Sequence, residues 1–202
     1  MQTRGFDVAS TPARQAYQLL TGAVVPRPIA WISTVSKDGV TNLAPFSFFT
    51  VVSSDPPIVS YTQIFPTPGT DKDTLTNLRA TNECVINFVT TELGDLMNAT
   101  SKNYAHGESE IDALQIPTIR SQRVDVPGVA ASPIRMECSL RDVLAIGNGK
   151  VVLLNVVHFE IAEAALTDSG QIDSNVFASL GRMSRNDYVA TSNLFEIARP
   201  TS

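Results

Sequence analysis

The sequence predicts a mainly β protein, an antiparallel barrel with a few short helices, and three observations carry that reading. Segments rich in β-branched and aromatic residues are short and alternate with Gly, Pro and Asp turn signals. Two long, strand-like segments flank Gly147-Asn148-Gly149 and read as one extended hairpin. One strand–helix–strand stretch, 58–89, is available for a crossover, which is too little for a doubly wound parallel sheet. With 202 residues, no linker and no internal repeat, the chain reads as a single domain over 1–202.

Thr11-Pro12 opens a short helix through Tyr17, Leu19 and Leu20, with Thr as N-cap, Pro at the first helical position and Gly22 as the stop. Pro26-Arg27-Pro28 is extended, because two prolines fix φ and exclude a helix. Ile29 to Val35 is a strand, Lys37-Asp38-Gly39 its hairpin turn, and Val40 to Ala44 the return. An aromatic segment, Pro45 to Phe49, leads through Val51-Val52 to the breaker Ser53-Ser54-Asp55-Pro56-Pro57 and a strand from Ile58 to Thr62. Pro66 to Asp71 is a loop. Asp73 caps a helix to about Thr81, 84–89 is a buried strand, 92–101 a second helix and 102–112 a polar loop. The long hairpin pairs 134–146 with 150–162, and strands so much longer than the usual length require curvature or a bulge. Leu180-Gly181-Arg182 and Asn186-Asp187-Tyr188 form the tail.

The net charge is −5 and no basic run or stripe occurs, so charge gives no reason to propose nucleic acid. No apolar run reaches membrane-span length, and residues 1–10 lack the apolar core of a secretory signal. Cys84 and Cys138 each sit in an apolar stretch and read as buried thiols rather than a disulfide. A cytoplasmic protein is the expectation. The 43% apolar share is consistent with some surface being buried between subunits. GxSxG, HExxH, CxxC, Walker and GxGxxG patterns are absent, and His106 and His158 are the only histidines. No metal site and no side-chain nucleophile are expected.

What the residues offer is a place for a flat, phosphorylated aromatic ligand. Asn42 to Phe49 combines small residues that let a ring approach the backbone with aromatic rings and the Ser47 hydroxyl. The alternative is that Phe46, Phe48 and Phe49 only pack a core. Lys72-Asp73-Thr74, with Asn77 one turn on, opens a helix whose free N–H groups, cation and hydroxyl could cradle a phosphate. The alternative is a capped helix beside an exposed lysine.

Taken in order, these stretches resemble the flavin reductase-like, FMN-binding split-barrel family. The resemblance runs from Pro26-Arg27-Pro28-Ile29-Ala30-Trp31-Ile32-Ser33-Thr34 through Asp38-Gly39, Asn42 to Phe49 and Asp55-Pro56-Pro57. It continues with Lys72-Asp73-Thr74 and Asn77, then Asn87-Phe88, Ser132-Pro133, Glu137-Cys138, the long hairpin, Gly181-Arg182 and Tyr188. It implies a Greek-key split barrel that forms a homodimer, with non-covalent FMN near the interface. Trp31, Ile32, Ser33 and Thr34, with Asn42, Ala44, Ser47, Phe48 and Phe49, would flank the isoalloxazine and ribityl chain. Lys72 and Thr74 would hold the phosphate with help from Ser47, while Asp73 opens that helix and Asn77 supports it. Arg27 would reach the ring edge or the phosphate, or else be a solvated loop arginine. Arg182 and Tyr188 would lie near the flavin or only close the barrel. Tyr104 and His106 would line a nicotinamide pocket. The implied activity is an NAD(P)H-dependent flavin reductase, with a monooxygenase as possible electron acceptor. A flavoredoxin-like carrier, a flavin-binding protein without turnover and a flavin-free barrel are the other readings. The N-terminal helix and Leu166 to Ser202 extend beyond the shorter reductases and leave the electron donor open.

Overall fold

The computed structural model describes residues 1–64 and 71–200, so the expected loop Pro66 to Asp71 lies, apart from Asp71, outside the described residues. The elements run α1 (Ala13–Ala23), β1 (Arg27–Pro28), β2 (Ala30–Val35), β3 (Thr41–Phe46), β4 (Phe49–Ser54), β5 (Pro57–Ile64), α2 (Asp73–Thr81) and β6 (Glu83–Asn87). They continue α3 (Gly94–Ala99), α4 (Glu110–Ala113), β7 (Thr118–Ile119), β8 (Gly128–Val129), β9 (Ile134–Ile146), β10 (Gly149–Ile161), β11 (Leu180–Arg182) and β12 (Tyr188–Ala190).

The main sheet has seven strands in the order β3-β2-β6-β9-β10-β5-β4, and every neighbouring pair is antiparallel. Its edge strands β3 and β4 are consecutive in the chain and joined only by Ser47-Phe48. That short link brings the two edges together without pairing them, so the sheet closes into a barrel with one open seam. The expected long hairpin is β9–β10, with register shifts at Leu153/Leu154 and Val156/His158 that bend it.

Alternation along β2 explains its unbroken burial. Ala30 and Ile32 face a core with Leu75, Leu78, Ile86 and Leu154, while Ile29 and Trp31 face a second core with Leu43, Val89 and Met97. The helix α2 therefore covers one side of the barrel, and α3 and α4 cover another. Cys84 and Cys138 are register partners on β6 and β9, and both are buried free thiols. The hydrogen bond with Cys138 and then burial push the Cys84 thiol well up. A small sheet, β1-β11-β12, ties the early chain to the tail. Gly181 is needed there, because a Cβ would stand 3.0 Å from Pro26 Cβ and 3.2 Å from Val189 Cγ1.

Local expectations shift in several places. Gly22 does not stop α1, which runs to Ala23 with Val24 N still donating to Leu20 O at 3.0 Å. Thr11 does not cap it, since its hydroxyl donates to Asp7 O at 2.7 Å. The strand after the hairpin continues through Pro45 and Phe46. It lies at the sheet edge, where a missing N–H costs no ladder bond. The 92–101 helix begins as a 3-10 turn over Thr91–Leu93 and ends at Ala99. The polar segment 102–112 is not all loop: Ser109 Oγ accepts from Asp112 N at 3.1 Å and caps α4.

Candidate functional site

Two adjoining cavities share the walls Pro45 and Ser101. The larger, about 710 Å³, lies among α1, β1, α3 and the β11–β12 turn. The smaller, about 340 Å³, lies at the start of α2 beneath the segment 102–106. They meet at these two residues, and their sizes and mixed linings suit an organic cofactor.

The smaller cavity has a polar floor whose hydrogen bonds are all internal. Asn42 Nδ2 donates to both carboxylate oxygens of Glu110, at 3.0 and 2.9 Å, and Leu43 N donates to the same carboxylate at 2.8 Å. Thr74 Oγ1 donates to Asn42 Oδ1 at 2.9 Å, and Asn77 Nδ2 donates to Thr34 Oγ1 at 3.1 Å. Glu110 is buried without a cationic partner among the described residues. Burial raises its pKa and Asp73 adds to the rise, while the bonds from Leu43 N and Asn42 oppose it.

Lys72 stands at the mouth of this cavity. It is exposed, yet enough protein crowds it that desolvation lowers its pKa. Its Nζ lies 5.4 Å from the centre of the Phe46 ring, and it has no carboxylate partner among the described residues. Asp73 does not cap α2. Lys72 occupies the cap position without a side-chain bond, and Asp73 turns to the 106–107 loop instead. Its carboxylate pairs with His106 Nδ1 and accepts from Gly107 N at 3.1 Å. His106 is thereby held at the cavity, which Tyr104 also lines.

Arg27 and Arg182 wall the larger cavity. Arg27 is not a solvated loop arginine. It is buried, and its Nη1 donates to Thr21 O at 2.6 Å and Val24 O at 2.8 Å, its Nη2 to Met183 O at 2.9 Å. Its Nε reaches Ser47 Oγ only at 3.5 Å. Burial lowers its pKa, Tyr17 opposes that, and the nearby Arg182 adds to it. Arg182 donates to Tyr188 Oη and to Arg185 O, and its guanidinium lies 4.5 Å from the Tyr188 ring centre. Tyr188 Oη in turn donates to Asn98 Oδ1 at 3.4 Å.

The structure thus brings Asn42, Ala44, Lys72, Asp73, Thr74, Tyr104 and His106 to one cavity, and Arg27, Ser47, Arg182 and Tyr188 to the other. Ser47 is parted from Lys72 by Pro45, because it lies past the end of β3 on the Arg27 side. Trp31, Ile32, Ser33 and Thr34 are fully buried and line neither cavity. Trp31 Nε1 donates to Thr100 Oγ1 at 2.9 Å, Ser33 Oγ donates to Pro127 O at 2.7 Å, and Ile32 packs in the core. Phe49 is also core, Phe48 flanks Arg27 with 5.9 Å from ring centre to guanidinium, and Asn77 braces Thr34 from beneath. Glu110, Asn98 and Arg185 are among the cleft residues that sequence reasoning missed. The Ser109 and Asp112 spacing around Glu110 signals a helix start, not the role of its carboxylate. Among the described residues no group of His, Cys, Asp and Glu could hold a metal ion, and no helix is long and apolar enough to cross a membrane.

A family model for the flavin reductase like domain matches residues 22–175. An uncharacterized protein of Halalkalibacterium halodurans is 35% identical over 198 residues, covering 95% of this chain and 94% of its own. Nitrilotriacetate monooxygenase component B from Bacillus cereus superposes with a TM-score of 0.92 at 30% identity, over 98% of this chain and 100% of its own. The 2-nitrobenzoate 2-nitroreductase NbaA of Pseudomonas fluorescens does so with 0.90 at 26% identity, over 98% and 97%. The fold shared with these structures is the split barrel.

Proposed function

This chain belongs to the flavin reductase-like family, and we propose that it binds FMN non-covalently in the joined cleft and reduces it with NAD(P)H. Membership and the two enzyme neighbours make it a flavin-related oxidoreductase. The observation that carries the finer reading is Lys72. It is a cation without a described carboxylate partner at the start of a helix, on a cavity that adjoins a larger one at Pro45 and Ser101. An anionic phosphate satisfies that end, and a flat ring suits the walls beyond it.

On this reading Lys72 holds the phosphate. Thr74 contributes less than its position implies, because its hydroxyl proton is already given to Asn42. The Asn42–Glu110 floor fixes the backbone of β3 at Leu43, beside Ala44, where a ring would approach closely. When bound, the flavin supplies the hydride-accepting chemistry, so no side-chain acid or base is required. Tyr104, and His106 tethered through Asp73, cover one side of the cleft and limit water there. A homodimer and transfer of reduced flavin to a monooxygenase complete the proposal. The likeness to a component of nitrilotriacetate monooxygenase supports that transfer.

The test is an absorption spectrum after adding FMN, followed by NADH and NADPH titration. Flavin uptake with FMN-dependent oxidation of either nucleotide is expected, and consumption of neither rejects the reductase. Lys72→Ala is expected to weaken FMN by about 1–3 kcal/mol, the range for a lost charge-assisted bond. Unchanged affinity at low salt removes Lys72 from the phosphate site.

A further inference from the structure

We infer that the far end of the larger cavity recognises an anionic substituent, carboxylate or phosphate, on the molecule that exchanges electrons with the flavin, through Arg182 and Arg185. The inference rests on the flavin reading above and adds to it the charge class of the second ligand.

The cavity wall carries three guanidinium groups, Arg27, Arg182 and Arg185, and no carboxylate among the described residues. That is unusual in a chain with 15 Lys and Arg against 20 Asp and Glu. The salt bridges of the described residues involve Arg79, His106, Lys150 and His158, and none of these three arginines. Among the described residues, no carboxylate pairs with the positive charge on this wall.

The three play different parts. Arg27 gives three of its N–H bonds to backbone carbonyls, so it is a clamp that adds charge to the wall. Arg182 is held against the Tyr188 ring and uses donors on Tyr188 Oη and Arg185 O. A guanidinium has five N–H donors, so this one is fixed in place with donors to spare. Arg185 is exposed in the β11–β12 turn at φ 53°, and its side chain has no hydrogen-bond or ion partner among the described residues. One fixed planar fork beside one free fork is the arrangement that binds carboxylate or phosphate with two-point geometry. Ile29 and Met97 line the same cavity and give an apolar surface for the body of such a ligand.

The experiment titrates FMN-loaded protein and follows the flavin absorbance. Benzoate against benzamide reads a carboxylate source, and nicotinamide mononucleotide against nicotinamide riboside reads a phosphate source. In at least one pair the charged member is expected to bind about tenfold more tightly, the order of a charge-assisted contact. Arg185→Gln is expected to remove most of that preference while leaving the affinity of the uncharged partner within about twofold, since its side chain supports no other contact. Arg182→Gln is expected to remove the preference too, while also releasing Tyr188 and the Arg185 carbonyl, so Arg185→Gln is the variant that isolates the charge. Equal affinities within both pairs overturn the inference. So does loss of FMN affinity in the arginine variants, because the guanidiniums would then hold the flavin phosphate. Calorimetry of the same pairs on flavin-free protein reads the arginines directly. A protein that takes up no FMN would sink the reductase and still put this inference to the test.

Discussion

Glu110 is a carboxylate buried without a described cation, and two donors keep it there. Because burial raises its folded pKa, protonation favours the folded state. Its contribution is complete below the ordinary value of 4.5 and is lost as pH rises through the elevated folded value. The melting temperature of wild type relative to Glu110→Gln is therefore expected to rise as pH falls toward 4.5, which a pH series of thermal melts will show or refute. Glu110→Ala leaves the Asn42 amide and Leu43 N–H unsatisfied, and a loss of about 2 kcal/mol or more is expected in denaturant unfolding. Tyr61 is the opposite case. Its hydroxyl is buried with no partner among the described residues, so Tyr61→Phe should raise stability by up to about 1 kcal/mol. Lys72 and Asn42 were legible as site candidates because their chemistry lies in short contiguous motifs. Glu110 was not, since the residue that gives it meaning is 68 positions away.

At the scale of elements, legibility followed the punctuation. The β9–β10 hairpin and the β2–β3 turn are bounded by glycine signals, and the structure keeps them to within a residue or two. Helix ends were less readable because tertiary partners outbid local caps. Asp73 finds His106 and Gly107 N, which no local spacing announces. Burial of Trp31 to Thr34 was equally hidden, since a strand flanked on both faces looks the same in sequence as one lining a pocket. The small β1-β11-β12 sheet sets the larger cavity's outer wall, and Gly181 is its tight point. Gly181→Ala forces Pro26 and Val189 apart, and a cost of about 1–3 kcal/mol is expected in chemical denaturation.

At the scale of the molecule, several large apolar side chains face outward. Leu20, Val24, Val51, Ile146, Val157 and Phe159 all lie exposed. Val51 on β4 and Val157 and Phe159 on β10 are apolar surface that the proposed homodimer would cover. Sedimentation at micromolar concentration is expected to give about twice 21.8 kDa, and a single species at 21.8 kDa would refute it.

Arg27 grips carbonyls at Thr21, Val24 and Met183, so the larger cavity takes one wall from early in the chain and another from late in it. A nascent polypeptide still on the ribosome and short of Met183 already contains Lys72 and the start of α2. It has nothing yet to shut the space beyond Pro45, and a closed cavity must wait for translation to pass the final strands.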